Sequence, residues 1–429
     1  MARGTTSPID DCLGVSKKYI YIQRLMIDRI STSYKSLVPP SIDISPAIAL
    51  DFAILKYPRA KFHSQTYTMA QELPTVRWGI VATGMISNWF VSDLLLPSWP
   101  NKRANHIIQS IGSSSIAKGQ KFYDEYVHPN LSNNSSITPK IYASYAEVYN
   151  DPDVDVVYIG TPHSFHKQNC IDAINAGKHV LCEKAFTLTQ ADAKEVTALA
   201  REKGVFLMEA MWTRFYPLVK ELRRLLYEEK VIGQVWRTFA DFGLSYDVAS
   251  LPDSSRLKDL SMGAGSLLDI GIYSLTWGLL TLEENVGKGE HPKVLAAQTL
   301  QGGVETLSSW ILSYPSTGKH GILTSTTNVR TEKTFARVEG SKGFITVQGP
   351  TSSPESFIVK LHDEEGEGKL YEFEKPGRGF YWEADAVAVD VANGRKENET
   401  IPLAETERVM GILDEIRKQG GARFPSDTF

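Results

Sequence analysis

Three residues in this chain have types and spacing suited to acid–base chemistry at a hydroxyl group: Lys184, Asp269 and Tyr273. On a helix the spacing of four puts Asp269 and Tyr273 on one face. Gly263-Ala264-Gly265, just upstream, lets that helix start pack closely against a ligand or backbone. A free phenol has a pKa of about 10 and is a poor base at neutral pH. A lysine ammonium within about 4–6 Å favours the phenolate and lowers that value by roughly 1 to 3 units. A base within hydrogen-bond reach of a hydroxyl is what removal of its proton requires. A buried Asp–Tyr pair is also a common structural device, so the assignment depends on what surrounds it.

Lys184 ends a stretch, residues 153–184, that reads strand, loop, helix, strand: DVDVVYIG, TPHSFH, QNCIDAINAG, HVLCEK. This is a βαβ unit, whose ligands gather beyond the carboxyl ends of its strands. Thr161, Pro162 and His163 follow the first strand, and Glu183 and Lys184 follow the second. Upstream, RWGIVATG is an apolar strand that turns into a helix through Ala82-Thr83-Gly84-Met85-Ile86-Ser87. That turn is a GxGxxG variant with alanine for the first glycine and serine for the last. It lets the backbone approach a pyrophosphate resting on helix N–H groups, although alone it is a weak match. The next strand, HIIQSIG, ends in Ser113, Ser114 and Ser115, with Lys118 one turn on. An NAD site places Asp or Glu there to bind the ribose hydroxyls; hydroxyls with a lysine suit a 2′-phosphate, so NADP is the expected cofactor. The competing reading is that the serines cap the following helix. His163 and His166 have metal-like spacing but no accompanying carboxylate or cysteine set, and no metal is expected. Trp212 and Arg214 follow the last parallel strand, VFLMEA, and are candidates for a substrate pocket. Trp212 as core and Arg214 as an ion-pair partner is the alternative, and Glu209 is open in the same way.

At 429 residues the chain is too long for one compact core. Apolar content of 42%, charged content of 22% and a net charge of −4 give no basic excess for nucleic acid or anionic membrane. Small-molecule partners are favoured. Cys12, Cys170 and Cys182 form no framework, which suits a reducing, cytoplasmic compartment. No signal peptide or membrane span is expected. Residues 1–68 lack sustained periodicity and are expected to be a poorly ordered extension, with Met69 as the native start. Residues 69–210 read as a Rossmann domain. Residues 211–429, rich in strands separated by Gly, Pro and Ser turns, read as an α+β domain with a large, mainly antiparallel open sheet. The segment HPNLSNNSSITPK is read as a polar surface insertion.

From Val76 onward the motifs RWGIVATGMI, DVDVVYIGTPHSFH, AGKHVLCEKAFTLT, FLMEAMWTRFYP, GAGSLLDIGIY and FYWEADAVAVDVANG occur in this order. The chain resembles the two-domain oxidoreductase family of glucose-fructose oxidoreductase and inositol dehydrogenase. Within it the likeness is to the branch of dimeric dihydrodiol dehydrogenases and fungal NADP-dependent D-xylose dehydrogenases. The resemblance covers about five-sixths of the chain. It implies Lys184 and Tyr273 as the catalytic pair, Asp269 as an orienting residue, the His163 and His166 loop along the cofactor, and oxidation of a sugar or diol hydroxyl. The open sheet has an apolar side that the available helices do not cover, so a homodimer is expected. One departure is Ala185, where the family carries proline after the lysine. A non-catalytic NADP-binding regulator, or a reductase of dicarbonyls or anhydro-sugars, uses the same fold and is the alternative.

Overall fold

The computed structural model describes residues 72–131, 137–425 and 427. The expectations about residues 1–68 lie outside the described residues. Glu72–Phe429 is one compact unit built on two sheets.

The first sheet has six strands, β1 (Thr75–Val81), β2 (Asn105–Gly112), β3 (Lys140–Tyr142), β4 (Val156–Ile159), β5 (His179–Glu183) and β6 (Leu207–Ala210). Their order is β3-β2-β1-β4-β5-β6, with every pairing parallel. The winding reverses between β1 and β4, the switch point at which doubly wound sheets bind ligands. Because helices cover both faces, the inner strands are unbroken apolar runs; VVYI of β4 is buried at every position. Strand β3 departs from expectation, because Lys140 belongs to it and not to a surface insertion. Its ammonium bonds Asp151 at 3.0 Å and Asp153 at 2.9 Å, so a charged edge strand of three residues shows no apolar pattern.

Helices α1 (Met85–Leu94), α2 (Ile116–Phe122), α3 (Tyr145–Asn150), α4 (His163–Asn175) and α5 (Gln190–Lys203) connect these strands. Helix α4 begins at His163, inside the stretch read as loop, because Pro162 holds the extended capping conformation with φ −61°. Helix α5 opens where Thr189 Oγ1 accepts the Asp192 N–H and closes at Gly204, φ 63°.

Helix α6 (Pro217–Arg223) leads to the second sheet: β7 (Val235–Gly243), β8 (Lys293–Gln301), β9 (Val304–Tyr314), β10 (Lys319–Thr326), β11 (Thr334–Gly340), β12 (Gly343–Gln348), β13 (Ser356–Leu361) and β14 (Lys369–Glu372). The order is β14-β13-β12-β11-β7-β10-β9-β8; β7 and β10 run parallel and the other pairs are antiparallel. Helix α7 (Ile272–Leu282) is buried along its whole length. It lies on the inner face against β7 and β10, with Trp277 edge-on to Phe335 at 5.1 Å. The segment Leu260–Leu282 is long and apolar enough to cross a membrane, but 94% of its apolar window is buried in the protein. It is the core of the second sheet. Helix α8 (Phe380–Ala392) packs back onto α1, and α9 (Leu403–Gly420) lies on α5, β6 and β8. Helix α9 thus touches both sheets, through β6 and β8. The outer face of the second sheet carries a cross-strand row of Leu295, Ile311, Ile322 and Phe239.

Candidate functional site

The turn from β1 into α1 has the form a nucleotide turn requires. Ala82 takes φ 76°, the left-handed region normally left to glycine, at a cost of about 1–2 kcal/mol. Alanine thus keeps the conformation of the glycine it replaces. Gly84 stands at the helix N-terminus, and a Cβ built on it meets no atom within 4 Å. The first N–H groups of α1 consequently face open space, where an anion can approach. The small residue that the motif's last glycine usually supplies has moved across the turn. A Cβ on Gly160, at the end of β4, would lie 2.4 Å from Ser87 Oγ, so glycine at 160 makes room for serine at 87.

Beside this turn a cleft of about 490 Å³ runs to the second sheet. Ala82, Gly84, Met85, Ile86, Thr161, Pro162, His163, Glu183, Lys184, Trp212, Asp269 and Tyr273 all line it. A second hollow opens on the other side of the turn, lined by Thr83, Gly84, Ser113, Ser114, Lys118 and Lys121. Lys118 Nζ donates to Ser114 Oγ at 3.0 Å, and Ser113 Oγ is buried with no partner. These two hydroxyls, two ammonium groups and the helix N-terminus fit the phosphates of a dinucleotide.

At the inner end of the cleft, Lys184 Nζ donates to the Asp269 carbonyl oxygen at 2.5 Å and lies 3.6 Å from Asp269 Oδ1. It sits over the Tyr273 ring, 5.2 Å from the centroid. Trp212 Nε1–H donates to the Tyr273 hydroxyl at 2.7 Å. Arg256 Nη1 reaches Asp269 Oδ1 at 3.3 Å. Burial pulls the Asp269 carboxyl upward, but Lys184, Arg256 and His163 outweigh it and hold it at about 2. Burial, with Lys184 nearby, keeps His163 neutral by pushing it down to about 3. Burial also raises Glu183 to about 7. The Lys184–Ala185 peptide is cis.

Four expectations are corrected by this geometry. The Tyr273 phenol is not brought below its ordinary value: burial first, and then the negative charge of Glu183, push it well above, and the Trp212 bond only offsets part of this. His166 does not line the cleft. It is buried with its ring nitrogens 3.0 Å from the Ala185 carbonyl and 2.7 Å from that of Thr161, where it ties together the loops after β4 and β5. Ser115 caps α2, accepting the Lys118 N–H, while its two serine neighbours face the hollow. Arg214 is a buried ion-pair partner of Glu405 at 2.8 Å, not a pocket residue. Glu209, left open in sequence, accepts from Thr406 in the same buried layer. Arg256 and Lys121 went unnoticed in the sequence: each lies in a polar stretch with another lysine close by, and only the fold brings it to the cleft or the hollow. Among the described residues no group of three His, Cys, Asp or Glu side chains is arranged to hold a metal.

A parallel sheet of order 3-2-1-4-5-6 with an open anion-binding turn at its switch point defines a dinucleotide-binding enzyme fold. Residues 76–211 match the model of the oxidoreductase family with an NAD-binding Rossmann fold that includes glucose-fructose oxidoreductase and inositol dehydrogenase. The D-xylose 1-dehydrogenase (NADP(+)) of Hypocrea jecorina is 35% identical over 380 residues, spanning 82% of this chain and 93% of that one. The trans-1,2-dihydrobenzene-1,2-diol dehydrogenase of Bos taurus is 35% identical over 360 residues, spanning 82% and 99%. The chain belongs to this oxidoreductase family. Among solved structures, the fold is shared with an aldose-aldose oxidoreductase from Caulobacter crescentus complexed with glycerol (TM-score 0.67, 22% identity, 81% of this chain and 98% of that one). It is also shared with a levoglucosan dehydrogenase in complex with NADH and levoglucosan (TM-score 0.68, 18% identity, 81% and 97%).

Proposed function

We propose that the protein is an NADP-dependent dehydrogenase of a sugar or diol hydroxyl, acting on D-xylose at its anomeric carbon or on trans-dihydrodiols, with Tyr273 as general acid/base. The observation that carries this reading is the convergence of Lys184, Asp269 and Tyr273 at the inner end of the cleft that begins at the nucleotide turn. Residues 82–86 would hold the pyrophosphate, and Ser113, Ser114, Lys118 and Lys121 the 2′-phosphate. The nucleotide, when bound, supplies the hydride acceptor. Tyr273 takes the proton of the substrate hydroxyl, and Trp212 donates to the phenol oxygen throughout. Lys184 adds a positive charge over the ring and a donor for the substrate oxygen, while Asp269, shared with Arg256, sets where that ammonium sits. Because burial holds the phenol protonated at neutral pH, oxidation is expected to accelerate as pH rises, and the reverse reduction has its proton donor ready.

Residues 69–210 serve the nucleotide and residues 211–429 the substrate and the subunit contact. The outer row of Leu295, Ile311, Ile322 and Phe239 would be covered by a second copy of the chain in a cytosolic homodimer. Light scattering giving a monomer at micromolar concentration removes the dimer. The test of function is reduced-nicotinamide absorbance with NADP or NAD and D-xylose, D-glucose or trans-benzene dihydrodiol, with Tyr273→Phe alongside. The expected result is NADP-linked turnover that falls by 10²-fold or more in the variant. Tight NADP binding with no turnover on any substrate would point to a nucleotide-binding regulator.

A further inference from the structure

Arg256 lines the cleft yet belongs to neither sheet. It stands in residues 244–263, the segment that follows β7, and that segment is fixed at both ends. The N–H groups of Leu244 and Tyr246 donate to the carbonyls of Thr326 and Thr327 at 2.9 and 2.8 Å. At the far end Ser164, in α4, donates to Met262 Sδ at 3.5 Å. Gly263, with φ 80°, comes so near α4 that a Cβ on it would lie 3.3 Å from His163 Cβ. The acids of the segment are engaged locally, Asp247 with the Ser250 N–H, Asp253 with Lys258 and Asp259 with Ser261, and none of them lines the cleft. Arg256 instead reaches Asp269 Oδ1 at 3.3 Å, and its side chain stays half-exposed. Among the described residues Asp269 is its one hydrogen-bond partner, which leaves most of the guanidinium fork for a ligand.

Lys184 Nζ lies 3.6 Å from the same Asp269 oxygen, so two cations share one carboxylate and stand within a sugar ring's span of each other. Glu183 is the only other acid lining the cleft among the described residues, and the Tyr158 O–H holds its Oε1 at 2.7 Å. An oxidised nicotinamide brings a positive charge that Glu183 can match, which leaves the second cation at Asp269 without an anion. Elsewhere the wall is largely apolar, with Trp89, Phe242, Leu244, Leu257 and Met262, and such a wall strengthens the pull of an unmatched charge. We propose that the cleft is built for a sugar acid: Arg256 binds a carboxylate on the substrate ring while the hydroxyl to be oxidised lies at Lys184 and Tyr273. This rests on the reading of the cleft as a dehydrogenase site and names its substrate class. D-Glucuronate is the D-xylose ring with a carboxylate on the carbon across the ring oxygen from the anomeric centre, so the reaction is unchanged. Hydride leaves the anomeric carbon for the nicotinamide, the hydroxyl proton goes to Tyr273, and the lactone forms.

The experiment compares D-xylose, D-glucose and D-glucuronate, which carry hydrogen, hydroxymethyl and carboxylate at that one carbon, as substrates of the full chain with NADP at neutral pH. Wild type, Arg256→Gln and Arg256→Lys are measured together. In the wild type kcat/KM for D-glucuronate is expected to exceed that for D-glucose by about 10- to 100-fold, the worth of a charge-assisted hydrogen bond, chiefly through KM. Raising salt from about 0.05 to about 0.5 M is expected to raise KM several-fold for D-glucuronate and to leave it unchanged for D-glucose, because a half-exposed guanidinium is screened. Arg256→Gln abolishes both the preference and the salt effect, and Arg256→Lys retains both in reduced form. Calorimetric titration of the NADPH-loaded protein with each sugar reads the same preference as a ratio of Kd values, without turnover. D-Glucuronate no better than D-glucose, or a loss in Arg256→Gln equal for all three sugars, overturns the inference and leaves Arg256 as a positioning residue for Asp269. Turnover confined to D-xylose or to trans-benzene dihydrodiol overturns it as well. NADP binding with no turnover on any sugar or diol overturns the dehydrogenase reading itself, which is a distinct result.

Discussion

Replacing Trp212 by phenylalanine isolates one hydrogen bond in the reaction. Trp212 Nε1–H donates to the Tyr273 oxygen at 2.7 Å in a buried setting, and its ring stacks on Phe380 at 4.0 Å with planes 5° apart. Phenylalanine keeps a flat ring for the stack and loses only the donor and part of the volume. A hydrogen bond to a neutral group contributes about 0.5–1.5 kcal/mol and one to a charged group about 1.5–3 kcal/mol. The phenolate therefore loses roughly 1–1.5 kcal/mol more than the phenol, which is about one pH unit. Initial rates of NADP reduction, measured from pH 6 to 10.5, are expected to show an acid limb displaced upward by about one unit. At any fixed pH on that limb the rate falls about tenfold, while the nucleotide KM stays the same. The lost volume lowers stability by roughly 1–3 kcal/mol, which thermal melting reads separately. An acid limb that does not move, or a loss equal at every pH, would refute the role given to this bond.

Other predictions follow from the same geometry. Arg256→Leu leaves Asp269 Oδ1 to Lys184 alone; kcat/KM is expected to fall several-fold, with recovery in Arg256→Lys, and equal rates in all three proteins would sink the idea. Ser114→Asp places a carboxylate beside Lys118 in the hollow, and the ratio of kcat/KM for NADP over NAD is expected to fall by at least tenfold when both nucleotides are compared. Burial raises Glu209 from 4.5 to about 7, so the folded state holds a proton that the unfolded state releases. The stability from this group is fully present below pH 4.5 and is lost as pH rises through 7, on the order of 3 kcal/mol in all. Melting Glu209→Gln beside the wild type at pH 5 and pH 8 is expected to show the variant gaining relative stability at the higher pH; a difference independent of pH would contradict it.

Much of the site was legible in the sequence because its parts are local. The nucleotide turn, the lysine at a strand end and the Asp–Tyr spacing each lie within one strand-to-helix unit, where periodicity of two or 3.6 tells the face and the end of the element. The same holds for five of the six parallel strands. What failed was decided by partners far along the chain. Arg214 meets Glu405 across 191 residues, so a cation beside the pocket in sequence became an interior ion pair. His166 met two carbonyls and left the cleft. Strand β3 was hidden because an edge strand of three residues needs no apolar face.

By itself, then, the amino-acid pattern determined the elements and the chemistry available at their ends, since backbone geometry translates residue spacing directly into direction. Only the tertiary structure decided which charges share a dry space. Lys184 is turned to the Asp269 carbonyl, and the Tyr273 phenol is pushed up by burial. Electrostatic energies depend on distance and on exclusion of water, and both are properties of the packed sheets that no stretch of the sequence carries alone.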